Sequence, residues 1–534
     1  MRRQLHGRVR CLSALSVCLL ASCVTFPPPN RGTEELPLPS SFALYGPTVP
    51  SPDRWWQVFG SDELNRLVEE ALSGNFTLQQ AVARIRQAGA IAKQTGALRW
   101  PELNFNADAS VTRTHTDTGE STPIWDTATQ KLNALNTLLG GGATPTSAGG
   151  GTTTALSSAQ SALRYAQSGI QAAETLAADP PSSEMTTTTE SYALGLSASY
   201  ELDLWGRLQA SHQSAQLDFE ASREDLFAAM QTIVGQVVLT WLDILQYRQI
   251  LEVAREQLEA NETTLELVEL RYRKGMATAL DVFQQRQAVA QVEATIPPLE
   301  AQLETLQHEL AVLLGKPPRS DLALAADAFP EIGAVPEQGI PADLLALRPD
   351  VRASGFRLQS ADWQVSAARA DRLPAIRLTA SAAYNAGEWD LLFDNWMAKL
   401  ASSITGPIFD AGRREAEVDR TRAVVDERLA AYRYAVVSAV REVEDALVLE
   451  AKQQEYIDAL EEQLAAARAT HTEALGRYRK GLNDFLPVLS ALTNAQALER
   501  ALVQAEHDLL AFRTQLHLAL GGSWMQQELV AREG

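Results

Sequence analysis

Few residues in this chain are arranged for bond-making chemistry. The seven histidines, His6, His115, His212, His308, His471, His507 and His517, are scattered. None belongs to an HExxH pair that would hold zinc on one helix face, and no GxxxxGK run is present to cradle a phosphate. Sequence order alone never excludes a Ser-His-Asp triad, but the long rods inferred below offer one no sheltered pocket. Six methionines do not make a soft-metal relay. The expectation is a protein with no catalytic residue, no metal site and no cofactor, hence not an enzyme. The balance of 46 basic and 66 acidic residues gives a net charge of −20. Gripping nucleic-acid phosphates needs clustered basic charge, so nucleic acid is an unsuitable partner. A chain of 534 residues exceeds one simple core, and 46% hydrophobic with 21% charged residues is an ordinary globular composition.

The one side chain placed for covalent modification is Cys23. Residues 1–10 carry Arg2, Arg3, Arg8 and Arg10 with no acid, and residues 11–21 are apolar or small. These are the n-region and h-region of a secretory signal peptide, too short for a permanent membrane span. The run ends in Leu20-Ala21-Ser22-Cys23, which resembles the bacterial lipobox. Cleavage before Cys23 and acylation of that residue are expected; an ordinary signal peptide with an incidental cysteine is the bland alternative. Cys11 and Cys18 would leave with residues 1–22, so the mature chain has one thiol, consumed by lipid, and no internal disulfide. Two or more acyl chains suffice for stable anchoring. Val24, rather than Asp, follows the cysteine, the pattern of outer-membrane sorting in such lipoproteins.

Self-comparison shows a repeat. Arg271-Tyr272-Arg273-Lys274-Gly275 recurs 206 positions later as Arg477-Tyr478-Arg479-Lys480-Gly481. Gly206-Arg207 recurs as Gly412-Arg413, and Leu314-Gly315 as Leu520-Gly521, at the same offset. Upstream, Arg99-Trp100-Pro101 aligns with Arg372-Leu373-Pro374, so the first copy holds an additional stretch. That stretch, about 116–190, is rich in Ala, Gly, Ser and Thr and reads as a long exposed loop. The expected organisation is a signal peptide at 1–22, a lipidated extended segment at 23–60, a first repeat at 61–315, a non-helical joint at 316–345, a second repeat at 346–521 and a tail at 522–534.

Each copy contains two alternating segments. In the first, Leu103, Phe105, Ala107, Ala109 and Val111 oppose Asn104, Asn106, Asp108 and Ser110. Residues 192–204 alternate likewise, and Ile376, Leu378, Ala380, Ala382 and Tyr384 oppose Arg377, Thr379, Ser381 and Asn385. Strands are expected at about 102–114, 191–204, 375–386 and 395–408. One apolar and one wet face suits transmembrane barrel strands and a soluble half-buried sheet equally. The helical segments decide between them. From 208 to 274 and from 414 to 480 there is no proline and a single glycine each. About 65 helical residues span on the order of 100 Å, longer than a compact domain, so the rods must pack side by side. Leu251, Ala254, Leu258, Asn261, Leu265, Val268 and Tyr272 step by three and four, as a coiled-coil seam does. Ile457, Leu460, Leu464, Ala467, His471, Ala474 and Tyr478 repeat the series. Turns near Gly275 and Gly481 reverse each rod, Pro297 and Pro298 interrupt the first return helix, and Gly206 and Gly412 mark strand-to-helix bends. Four strands are too few to close a membrane barrel, and open edges in lipid are costly, so chains must pool their strands.

These features together, with the Trp55-Trp56-Gln57-Val58-Phe59-Gly60 opening, resemble the outer-membrane efflux channels of the TolC family, in the lipoprotein branch often labelled NodT. The resemblance implies a mixed α+β, internally duplicated membrane protein. Three copies would form a 12-stranded transmembrane β-barrel continuous with a long periplasmic α-helical coiled-coil barrel. It implies a homotrimer lipid-anchored in the outer membrane of a Gram-negative bacterium, a periplasmic adaptor and an inner-membrane pump, commonly of the resistance-nodulation-division class. The function it implies is a passive exit duct for exported small molecules. Type I protein secretion and a lipid-anchored periplasmic coiled-coil scaffold are the alternatives.

The family's tip residues carry over only in part. Asp281 stands six residues after Gly275, as the family pattern has it. After Gly481 the family's aspartate is replaced by Ser490, in Val488-Leu489-Ser490, and an arginine frequent in the lipoprotein branch is Thr493. Asp281, Asp484 and Ser490 are therefore the aperture candidates, and an aperture resting on carboxylates should hold less tightly here. Gly275 and Gly481 read as turn residues. Arg271, Tyr272, Arg273, Arg477, Tyr478 and Arg479 are candidates for contact with the adaptor or a neighbouring rod; basic side chains also simply suit a helix C-terminus.

Overall fold

The computed structural model describes residues 26–28, 38–39, 41–42, 48–49, 54–116, 185–337, 339 and 341–526. Cys23, the leader at 1–22, most of the 116–190 insertion and the end of the tail lie outside the described residues. In chain order the elements are β1 (Thr48–Val49), α1 (Asp62–Gly74), α2 (Phe76–Ala97), β2 (Glu102–Thr116), β3 (Met185–Leu202), α3 (Arg207–Arg273), α4 (Ala279–Glu293), α5 (Ile296–Leu313), β4 (Val335–Pro336), α6 (Pro349–Ala370), β5 (Ala375–Ala386), β6 (Trp396–Thr405), α7 (Arg413–Arg479) and α8 (Phe485–Leu520). They fall into two units. A helical unit takes the described residues of Met1–Arg99, Asp203–Pro374 and Gly406–Gly534; a sheet unit takes those of Trp100–Leu202 and Ala375–Thr405.

In the helical unit, α3 and α7 are each 67 residues long. Neither contains proline, and tertiary packing rather than propensity sustains helices of this length. Trp56, Leu64, Leu67, Trp241, Leu245 and Leu310 form the centre of the largest core, joining α1, α3 and α5. Asn75 separates α1 from α2 by capping the latter: its Oδ1 accepts from Thr77 N at 2.8 Å and Leu78 N at 3.2 Å. Pro297 and Pro298 sit in the first turn of α5, where a missing N–H costs nothing, so the first return helix is broken between Glu293 and Ile296. Its counterpart α8 runs unbroken for 36 residues. A two-residue parallel pairing joins β1 to β4.

The seam on α7 buries Ile457, Leu460, Leu464 and Ala467 against Ala495, Leu498 and Leu509 of α8. On α3 the buried line is different. Gln257 and Thr264 are buried, while Leu258 and Leu265 are half-buried and Tyr272 is exposed. The cause is polar pairing: Gln257 Nε2 donates to Gln496 O at 2.9 Å and to Glu499 at 3.0 Å, and Gln285 Nε2 donates to Asn261 O at 2.8 Å. A buried amide turns inward when its partner waits there and outward when none does.

The sheet unit is a four-stranded antiparallel sheet in the order β2-β3-β5-β6. Thr186 to Thr189, which composition places in the insertion, belong to β3 and pair with His115 to Thr112. Threonine is β-branched, so a run of four favours strand over loop once a partner strand is present. Phe105 pairs with Leu196, Leu196 with Ala382, and Ala382 with Ala398. That register carries the apolar sets of all four strands onto one face. Asn106, Gly195, Ala383 and Met397 form a row of the other, with Ser197, Ser381 and Lys399 in the adjacent row. None of the hydrophobic clusters among the described residues draws on a strand of this sheet.

Candidate functional site

Two regions hold the residues singled out by the sequence: the sheet faces and the hairpin tips. On the apolar sheet face Leu103, Phe105, Trp396 and Leu400 are all more than 60% exposed. An exposed apolar surface this continuous marks a face that meets lipid or another protein. The opposite face is wet and locally satisfied: Asn106 Nδ2 donates to Ser197 Oγ at 2.9 Å, and Arg377 lies 3.4 Å from Glu201. Aromatic rings gather at one end of the sheet, where Tyr192 meets Trp389 and Tyr384 meets Phe393 edge-on. Tyr and Trp rings, apolar with a polar tip, suit a lipid headgroup level. β2 and β6 are the edges of the sheet, and neither outer edge is paired among the described residues.

Gly206 and Gly412 precede α3 and α7 with φ of 75° and 83°. The freed N–H groups that follow are met by carboxylates. Asp203 accepts from Leu208 N and Gln209 N, and Asp410 accepts from Gly412 N and Arg414 N. At the far ends of the rods, Gly275 and Gly481 both take φ of 72°. Gly275 N donates to Tyr272 O and Met276 N to Arg271 O; Gly481 N donates to Tyr478 O and Leu482 N to Arg477 O. This double bond pattern is the Schellman stop, which requires the left-handed residue. A Cβ at either glycine would meet nothing within 4 Å, so backbone angle alone selects glycine there.

The six basic and aromatic tip candidates split into two groups. Arg271 points inward: its guanidinium lies 4.4 Å from the centroid of the Tyr478 ring, and Nη1 donates to Arg479 O at 3.1 Å. Arg271 therefore clasps the first hairpin to the second. Tyr478 is buried with Phe485, Val488, Val268 and Val282, and burial pushes its hydroxyl upward, the Arg271 charge opposing. Tyr272, Arg273, Arg477 and Arg479 face outward. Among the described residues the three arginines of that group form no ion pair.

Each aperture candidate has its own local setting. Asp281 completes a capping box: its carboxylate accepts from Thr278 N at 2.9 Å, and its own N–H donates to Thr278 Oγ1 at 3.2 Å. Its charge serves the start of α4. Asp484 stands at the cap of α8, with no side-chain capping bond, and is exposed, as is Ser490. Sequence reasoning missed Phe485 and Val488 as the packing centre of the tip; their apolar types after a turn glycine were the available signal.

A family model described as outer membrane efflux protein matches residues 175–316 and 340–522. The chain belongs to the outer membrane efflux protein family. The pyoverdine export outer membrane protein OpmQ of Pseudomonas putida is 32% identical over 522 residues, covering 96% of this chain and 97% of the relative. A probable outer membrane lipoprotein of Salmonella typhimurium, SilC, is 25% identical over 530 residues, covering 97% and 100%. The solved outer-membrane channel OprN superposes with a TM-score of 0.76 at 26% identity, covering 93% of this chain and 99% of that one. The architecture described above, mostly helical with a sheet, is thus shared with a solved outer-membrane channel.

Proposed function

We propose that this protein is a homotrimeric, passive exit duct for exported small molecules. Three copies would join β6 of one chain to β2 of the next, closing twelve strands into one barrel with the apolar face in lipid and the polar face lining water. The observation that carries this reading is the sheet itself: amphipathic in register and, among the described residues, bare on both faces and open at both edges. In a bilayer each unpaired edge group would cost several kcal/mol, and closure removes the edges. The equal rods α3 and α7, offset by 206 residues, fit an internal duplication, with twelve rods and return helices extending the duct through the periplasm. Conduction needs no catalytic group.

We infer further that Cys23 carries the lipid anchor in the outer membrane of a Gram-negative bacterium, in keeping with the lipoprotein name of SilC. The tips would meet a periplasmic adaptor, and an inner-membrane pump of the resistance-nodulation-division class would supply the energy. The export role printed for OpmQ supports a small-molecule cargo. Deleting the gene should raise sensitivity to a panel of toxic compounds; unchanged sensitivity across the panel would count against efflux.

A further inference from the structure

Beyond the shared pentapeptide the two tips diverge, and the residue that opens each return helix is among the positions that differ. Ala279 opens α4 where Phe485, 206 positions later, opens α8. Phe485 is 1% exposed, and its ring centroid lies 5.4 Å from that of Tyr478. At the first tip no ring occupies the corresponding place. A notch of about 280 Å3 remains, lined by Tyr272, Ala279, Val282 and Phe283 with the charged Glu269, Arg273 and Arg286. Tyr272 and Phe283 stay 50% and 65% exposed as a result. The notch lies below the range of roughly 300–1,000 Å3 that holds small-molecule ligands, so it suits one side chain rather than exported cargo. Its two arginines outnumber its one acid, Glu269. Arg286 is held by Glu269 at 2.7 Å, whereas Arg273 and the neighbouring Lys274 have no ion pair among the described residues.

We propose that this notch is a socket for one large apolar side chain of a partner protein, flanked by a carboxylate that meets Arg273. The second tip is the template for the filled state, because there the chain's own Phe485 covers the equivalent tyrosine. The inference rests on the reading that the tips receive an adaptor, and adds that docking is unequal: the first tip of each chain takes the anchoring side chain and the second does not.

The test uses the full-length chain in its own membrane. An Ala279→Cys variant is treated with N-ethylmaleimide, and the modified fraction of the tip peptide is followed by mass against time. We expect alkylation at least about tenfold slower in exporting cells than in the purified channel, the change that about 1.4 kcal/mol of contact would give. Adding Arg273→Glu should restore the fast rate in cells. Ala279→Phe, which fills the socket, should raise compound sensitivity toward that of the deletion. Equal fast rates in both settings would overturn the proposal, since the notch would be empty. Equal slow rates would also overturn it, since another copy of this chain would cover the notch. Failure of the efflux reading shows separately, as unchanged sensitivity on deleting the whole gene, and leaves the alkylation result to decide the socket.

Discussion

The first and second hairpin tips share the pentapeptide Arg-Tyr-Arg-Lys-Gly, the same Schellman stop and the same glycine φ, yet their side chains do opposite things. Tyr272 is exposed and Tyr478 is buried. Arg271 reaches across to the second hairpin, while its equivalent Arg477 points outward. The first return helix starts with a capping box, and the second starts with Asp484-Phe485 and no side-chain cap. Local sequence sets the turn; the residue four positions beyond the glycine sets what the turn buries. The second tip is a small hydrophobic core, and the first is a surface.

The sharpest contrast is a pair of truncations. Phe485→Ala should destabilise the tip by about 3–5 kcal/mol, because it leaves a cavity in a packed site. Phe283→Ala, at an exposed ring, should stay within about 0.5 kcal/mol. Hydrogen exchange at the tip amides reads both, and equal effects would erase the distinction between core and surface.

The contrast extends along α8, whose buried histidines titrate in opposite directions. Burial, aided by Arg513, pulls His517 down to about 3. The stability that neutral His517 contributes is whole above its ordinary value of 6.5 and is lost as pH falls toward 3, at up to about 1.4 kcal/mol per pH unit. Burial also opposes charge on His507, but the Asp243 and Asp508 carboxylates at 2.8 and 3.1 Å outweigh it and raise its pKa. Its contribution is whole below 6.5 and is lost as pH rises through the raised value. Urea midpoints against pH should therefore flatten on the acid limb in His517→Gln and near neutrality in His507→Gln.

Arg271→Ala should cost about 1–2 kcal/mol, combining the loss of a cation–π contact and a charged hydrogen bond. Arg477→Ala should cost less than about 0.5 kcal/mol. The same denaturation series separates them, and a larger effect at Arg477 would reverse the assignment of the clasp. Smallest is the cap: Thr278→Ala should cost about 1 kcal/mol, and Asp484→Ala should cost less because no side-chain capping bond is lost. Helix fraying at the start of α4 and α8, followed by amide exchange, reads that difference.

Much of the architecture is legible in the residues because its signals are local. Ile376 to Tyr384 alternate with period two, and the proline-free stretches before Lys274 and Lys480 can only be long helix. The repeated pentapeptide locates both turns. What is not legible depends on partners distant in sequence. Thr186 to Thr189 look like loop composition until Thr112 to His115 pair with them. Leu258 and Leu265 look like seam residues until Gln257 finds the backbone of Gln496. Asp281 reads as an aperture candidate, and Thr278, three residues earlier, also marks it as half of a capping box. Which tyrosine is buried was hidden in Ala279 and Phe485, a difference that acquires meaning only when two hairpins pack.

The central claim is that copies of this chain enclose a water-filled passage through a bilayer. Planar-bilayer recording on the purified full-length protein, with its subunit mass measured in the same detergent, tests it most directly. The account calls for a three-copy particle that inserts in discrete current steps. A monomer that leaves the bilayer electrically silent would contradict it.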